Sequence, residues 1–151
     1  MLSASKLVKL YTIPGLRRIA RRQLLKRALD LPLCVEIGQK VEFPHNGIGT
    51  VIHPYTSIGD NVKIYQNVTI GRGDVWDQYN RDSGLHFTIC EGAILGAGCK
   101  IIASKGELVV GKGTIIGANA VLLESTGENE IWAGVPAKKV GVRFIEESCS
   151  E

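Results

Sequence analysis

Three histidines, four cysteines and a scatter of carboxylates are the side chains of this 151-residue chain that could move a proton, hold a metal or attack a carbonyl. The stretch "FPHNGIGTVI", Phe43 to Ile52, sets His45 beside glycines in the middle of a ladder of branched aliphatics. Imidazole titrates near neutral pH, so a histidine displayed where an apolar ladder pauses is a candidate general base. Such a base usually has a carboxylate that fixes its tautomer and steadies the imidazolium. The other histidines are His53, in "HPYTS", and His86, in "GLHF". Cys34, Cys90, Cys99 and Cys149 show no CxxC and no paired histidine spacing, so they read as free thiols and no metal site is expected.

The elements that must position these groups announce themselves as a repeat. Aliphatic or aromatic residues recur at Leu31, Ile37, Phe43, Ile52, Ile58, Ile64, Ile70, Ile89, Leu95, Ile101, Val110, Ile116, Leu122 and Ile131, mostly in steps of six. Four positions later come small or branched residues: Val35, Val41, Thr56, Val62, Val68, Ala93, Cys99, Thr114, Ala120 and Val135. One position later a glycine recurs, at Gly38, Gly59, Gly71, Gly96, Gly111 and Gly117. An amphipathic helix would return its apolar face about every 3.6 residues. Six is instead a strand-and-turn period, in which each hexad sends one large side chain inward and then turns on glycine, asparagine or aspartate.

The steps Phe43 to Ile52, Ile101 to Val110 and Leu122 to Ile131 are three residues longer and read as small corner loops. Ile70 to Ile89 carries a large insertion, "RGDVWDQYNRDSGLHF", too polar and too long for core and of the kind that usually serves function. A β-sandwich is rich in the same residues, but its period-two strands and irregular turns would lose this phase. The expected fold is therefore an all-β parallel β-helix over residues 30–142, its coils sharing one aliphatic core, with a loop at 72–87.

Residues 1–29 and 143–151 flank it, the latter as a solvated tail. "LRRIARRQLLKRALD" reads as one helix with Leu16, Ile19, Ala20, Leu24 and Ala28 on an apolar stripe, suited to capping the open end of the solenoid. Lys6, Lys9, Arg17, Arg18, Arg21, Arg22, Lys26 and Arg27 all precede the first acidic residue, Asp30, so a second reading rests this segment on anionic lipid. Aromatic residues are not interleaved with the charge, which speaks against nucleic acid. At 44% hydrophobic and a net charge of +3, the chain reads as one folded domain. It has neither an apolar run of about 18 residues nor a signal-peptide core, so the expected location is the cytoplasm, with a basic helix suited to the inner face of the membrane.

The hexads, the segment "IHPYTSIGDNVKIYQNVTIG" and the closing "IWAGVPAKKVG" resemble left-handed β-helix acyltransferases, specifically the branch of serine acetyltransferases and polysaccharide O-acetyltransferases, from about Asp30 to Val142. The closing motif is common among hexapeptide acyltransferases. The ordered set "DLPLCVEIGQKVEFPHNG", "QNVTIG" and a loop ending in "LHF" is more specific. The resemblance implies a left-handed helix, a homotrimer with active sites in the clefts between subunits, acetyl-coenzyme A lying along the prism, and no metal. It implies that His45 is the catalytic base and that Asp30, fifteen residues earlier, is its carboxylate, with Glu36 as the alternative partner. A coil of three hexads would bring Asp30 and His45 onto adjacent coils.

The same resemblance has His86 facing His45 across a subunit cleft and helping to bind the acceptor. It assigns coenzyme A to Gly96 and Ala97 in "LGAG", Gly117 and Ala118 in "IGAN", and Lys138 in "VPAKK". Small residues there let a pantetheine arm come close, and the lysine ammonium could meet a phosphate. Leu123 and Glu124 stand where several relatives have a Thr-Lys pair, and His53 reads as structural.

For the acceptor, three departures count against serine. Arg81 stands five residues before His86, whereas in serine acetyltransferases an arginine directly precedes that histidine. About 29 residues precede the β-helix, where those enzymes carry a long helical domain. The loop also supplies Trp76, Asp77, Tyr79, Asn80 and Asp82, and rings with polar groups suit sugars. These place Trp76, Arg81, Asp82 and His86 at the acceptor and rank a sugar of a surface polysaccharide precursor ahead of serine. A non-catalytic trimeric scaffold is the reading from another class. A zinc β-helix would need a trio of histidines, and His45 and His86 are already assigned.

Overall fold

The structure is a computed structural model that describes residues 2–76 and 84–144. Two helices come first, α1 (Ala4–Tyr11) and α2 (Arg17–Leu25). Twelve short strands follow among the described residues: β1 (Glu36–Ile37), β2 (Thr56–Ile58), β3 (Lys63–Ile64), β4 (Thr69–Arg72), β5 (His86–Ile89), β6 (Ile94–Leu95), β7 (Lys100–Ala103), β8 (Glu107–Val110), β9 (Ile115–Ile116), β10 (Val121–Leu122), β11 (Glu130–Gly134) and β12 (Ala137–Val142). They form three sheets, in the orders β1-β2-β5-β8, β4-β7-β10 and β3-β6-β9-β11-β12. Every pairing is parallel except β11 with β12. From β2 to β10 the chain visits the three faces in rotation, so three hexads make one coil.

Register explains the period. Ile70, Ile101 and Leu122 are partners on one face, Ile37, Ile58, Ile89 and Val110 on the second, and Ile64, Leu95, Ile116 and Trp132 on the third. A fully buried side chain of this size contributes about 1.5–3 kcal/mol, and here each rests on its counterpart one coil away. The buried threonines satisfy their hydroxyls at the corners. Thr50 donates to the Tyr65 carbonyl at 3.0 Å and Thr114 to that of Gly127 at 2.7 Å.

Four sequence expectations are corrected. Trp132, not Ile131, completes the third stack, because the chain passes from β10 beside β7 to β11 beside β9 with no strand on the second face between them, which breaks the hexad phase; Ile131 is half-buried. Val135 is 72% exposed, and Ala137 fills the interior, because the chain reverses and returns as β12. The helix at 16–30 is shorter than its pattern: Ala28 has φ 56°, Leu16 and Ile19 are exposed, and only Ala20 and Leu24 of that stripe are buried. Before it stands α1, legible in hindsight from Ser3 as N-cap and Ala4, Leu7, Val8 and Tyr11 at helical spacing.

Ala4, Leu7, Val8, Tyr11, Ala20 and Leu24 join the same core as the coils, so both helices close that end of the solenoid. Tyr11 is the anchor. Its hydroxyl donates to the Pro32 carbonyl, and the Arg17 guanidinium lies 4.4 Å from its ring centroid while donating to the Val35 carbonyl at 2.7 Å. Burial pushes the Tyr11 phenol up from its ordinary value. At the far end, Glu130 accepts from the Gly127 amide, Trp132 Nε1 and Lys139 Nζ at 2.7, 2.8 and 2.7 Å. No helix among the described residues is long and apolar enough to cross a membrane.

At most anchors the glycine that follows answers to close approach. A Cβ on Gly59 would lie 2.8 Å from the Glu91 nitrogen and 3.1 Å from the Cys90 carbonyl carbon, both backbone of the next coil. A Cβ on Gly71 would meet nothing nearer than a Thr69 methyl at 3.7 Å. Gly59→Ala should therefore cost about 1–3 kcal/mol of unfolding free energy and Gly71→Ala well under that, as read by thermal denaturation.

The Lys139 ammonium, helped by the Trp132 indole, holds the Glu130 carboxyl down at about 2, against an ordinary 4.5. A depressed folded-state value means stability that is complete above the ordinary value and is lost as pH falls toward the depressed one. Glu130→Gln should lower stability at pH 7 by ~1–3 kcal/mol, and that deficit should shrink as the pH is taken from about 4.5 to about 2 in parallel melts.

Candidate functional site

His45 lies in the short 3-10 turn Pro44–Gly47, at the corner after the third face. His45, Asn46 and Gly47 are consecutive left-handed residues, with φ of 53°, 59° and 59°. Each non-glycine residue so placed costs roughly 1–2 kcal/mol, so something must hold the turn. Helix α1 does. Asn46 Oδ1 accepts from the Ala4 amide at 3.0 Å, capping the helix, and Ser5 Oγ accepts from the Phe43 amide at 3.0 Å. The result is an exposed imidazole on an over-determined backbone, its ring centroid 6.4 Å from that of Tyr65.

Tyr65 begins a column. The residues following the third-face anchors are Tyr65, Gly96, Gly117 and Ala133, joined coil to coil because the Tyr65, Gly96 and Gly117 amides donate to the Leu95, Ile116 and Trp132 carbonyls at 3.0, 2.8 and 2.7 Å. Ala97 and Ala118 flank it, since the Asn119 amide donates to the Ala97 carbonyl at 2.9 Å and the Ala118 nitrogen would lie 2.8 Å from a Cβ on Gly96. Lys138 is the register partner of Ala133. The structure thus brings Gly96, Ala97, Gly117, Ala118 and Lys138 onto one corner, with small residues above and His45 at the foot. The Lys138 ammonium is paired at 2.8 Å with Glu124.

Asp30 lies close by in the chain path but is otherwise engaged. The Gly49 amide donates to the Ala28 carbonyl, bringing the His45 turn beside residues 28–30, while Asp30 Oδ1 is 3.4 Å from Arg21. No hydrogen bond or ion pair joins Asp30 to His45 among the described residues. Glu36, the alternative partner, is committed elsewhere. Its Oε2 accepts from Ser57 Oγ at 3.3 Å, and Ser57 Oγ lies 3.0 Å from His86 Nε2. A carboxylate only accepts and serine has a single hydroxyl proton, so Ser57 accepts from Nε2–H and the neutral His86 keeps a lone pair on Nδ1. The relay was hidden in the sequence, because the three residues meet only through the β1-β2-β5 register.

His53 packs edge-on against Tyr55 and Phe87 at 5.4 and 5.5 Å, and its Nδ1 accepts from the Tyr55 amide at 3.2 Å. Burial, then the Arg72 charge, lowers its pKa, which fits a structural histidine. Burial pushes the Cys99 thiol up to about 12, an inert core group, whereas Cys34 is exposed. Arg72 pairs with Asp74 through both guanidinium contacts, 2.9 and 2.7 Å, at the root of the large loop, and Trp76 beyond it is 79% exposed. Arg81 and Asp82, expected at the acceptor, lie outside the described residues, as do Asp77, Tyr79 and Asn80. Among the described residues no group of three or more His, Cys, Asp or Glu is placed to hold a metal.

The chain is 36% identical over 104 residues to a serine acetyltransferase of Bacillus pumilus, covering 69% of this chain and 44% of that protein. It is 36% identical over 114 residues to that of Salmonella typhimurium, covering 75% and 38%. A Brucella abortus serine acetyltransferase solved in complex with coenzyme A superposes with a TM-score of 0.69 at 28% identity, covering 93% of this chain and 53% of that one. A serine acetyltransferase in complex with cysteine gives 0.74 at 28%, covering 93% and 59%. This chain spans less than half the length of the curated relatives. No protein-family model matches it. Three rotating parallel faces and a hexad period, shared with these structures, define a left-handed parallel β-helix. The chain belongs to the hexapeptide-repeat acyltransferases, among relatives named for serine and not for a glycan.

The relay makes a prediction independent of any activity. Nitrogen NMR of imidazole-labelled protein should show neutral His86 more completely in the Nε2–H tautomer than free histidine, and Ser57→Ala should return it to the free-histidine mixture without lowering Tm by more than about 2 °C, since the site is at the surface.

Proposed function

We propose that this chain is an O-acetyltransferase that moves an acetyl group from acetyl-coenzyme A to the hydroxyl of a small acceptor, with serine ranked first. The observation that carries the reading is the corner itself: a displayed imidazole, His45, at the foot of a column of small residues against which a long thin acyl donor can lie. The relatives' names support serine over the sugar that the loop's composition favoured.

In this reading His45 takes the proton of the acceptor hydroxyl, whose oxygen attacks the thioester carbonyl. The tetrahedral oxyanion collapses, the carbon–sulfur bond breaks, and the leaving thiolate takes the proton back from the imidazolium, restoring the base. Asp30 acts as the orienting carboxylate through Oδ2, with Arg21 resting on Oδ1. Gly96, Ala97, Gly117 and Ala118 give the pantetheine arm its close approach, and Lys138 exchanges Glu124 for a phosphate.

His86 reads the acceptor with the bare Nδ1 that the Ser57–Glu36 relay leaves it. His86 starts a strand of the second face, whereas His45 stands at the corner after the third. The two would converge by apposing two copies, which is why the proposal includes a homotrimer with its sites between protomers.

The test is the purified protein with acetyl-coenzyme A and either L-serine or a panel of sugars, following loss of thioester absorbance. Turnover with serine is expected, and His45→Ala should lower kcat by roughly 10²–10⁴-fold while changing the KM for acetyl-coenzyme A little. Turnover with sugars alone would restore the glycan reading. Absence of both turnover and coenzyme A binding by calorimetry would leave a scaffold.

A further inference from the structure

The helical segment caps the solenoid with only part of its apolar surface. Leu2, Leu16 and Ile19 are 49%, 38% and 61% exposed, and with Leu7, Leu10 and Ala20 they line a groove of about 300 Å³ between α1 and α2. A largely apolar groove of this kind on a surface, here rimmed by Gln23 and Arg27, marks an interaction site more often than scattered aliphatics do. On helix α2, Ala20 and Leu24 are buried against the core while Ile19 is left exposed.

The charge around this face is of one sign. Residues 2–29 hold eight Lys and Arg and no Asp or Glu. Arg17 and Arg21 are turned into the protein, on the Val35 and Leu31 carbonyls. Arg22 and Lys26, three and seven positions after Ile19 and therefore on its side of the helix, are exposed, and Arg27 lines the groove itself. An apolar centre with a cationic margin is the arrangement by which a helix lies in a lipid headgroup layer.

We propose that this face docks on an anionic lipid surface, Leu2, Leu16 and Ile19 entering the headgroup boundary while Arg22, Lys26 and Arg27 meet lipid phosphates. A second copy of the chain is the poorer occupant, because apposing two such faces sets Arg22 and Lys26 against their own kind with no acidic residue of this segment to answer them. The proposal does not depend on acetyl transfer.

Sedimentation of the full chain with vesicles tests it, using pure phosphatidylcholine and phosphatidylcholine with one third phosphatidylglycerol. Binding is expected to the anionic vesicles only and should weaken as salt is raised. The double variant Arg22→Glu with Lys26→Glu should bind roughly tenfold or more weakly, and Ile19→Asp by a similar factor, both with unchanged Tm because the side chains are exposed. Equal binding to neutral vesicles, no binding to anionic ones, or binding untouched by either variant would overturn the proposal. So would a fall in solution mass on Ile19→Asp with vesicle binding intact, which would assign the face to a second copy.

Discussion

The whole molecule depends on one constraint: the peptide groups of each coil can be satisfied only by the coils above and below. Parallel neighbours sit about 4.8 Å apart, and that spacing is imposed on every face at once. The backbone of one coil therefore presses on the next at each corner. Gly59 lies under the Cys90–Glu91 peptide, and Gly96 under Ile116–Ala118, because no side chain fits between. The same constraint sets the turn residues. Asn61, Asn67 and Asn119 share with Gly92, Gly98 and Gly113 the left-handed conformation in the turns that lead from one strand to the next. Side chains that face inward inherit a stack of like neighbours, and those that face outward meet polar neighbours on adjacent coils: Glu36 stacks on Ser57, and His86 reaches Ser57 diagonally.

A ladder that satisfies itself by stacking has two ends where nothing stacks. One is closed by α1 and α2 through Tyr11 and Arg17, the other by the returning strand β12 with Glu130, Trp132 and Lys139. Helix α1 does more than close an end, because its first turn bonds Asn46 and its Ser5 bonds Phe43. Cap stability and His45 geometry are thus one property. The turn that displays the imidazole is three left-handed residues long and keeps that shape through the helix packed against it.

Much of this was legible because a period of six is rarely produced by anything else. The inward positions, the small residues four later and the interrupting His45 could all be read along the chain. Errors came where the chain leaves the period. After Leu122 the chain passes to the third face with no strand on the second, which moved the last anchor to Trp132, and past Gly134 the reversal into β12 exposed Val135. In α2, helical spacing marked one apolar stripe, yet Leu16 and Ile19 face outward because α1 and the first coil already cover the rest.

The candidate site divides in the same way. Sequence alone determined the β-helix, the core ladder and the displayed histidine, because each is dictated by neighbours within a few residues. Tertiary structure alone decided that Glu36 serves Ser57 and His86, that Arg21 rests on Asp30, and that Glu124 neutralises Lys138. Those partners lie 9 to 29 residues apart along the chain. Whether they meet is set by how many residues each corner loop inserts between stacked coils, and a shift of a single residue there turns every outward side chain of a strand inward.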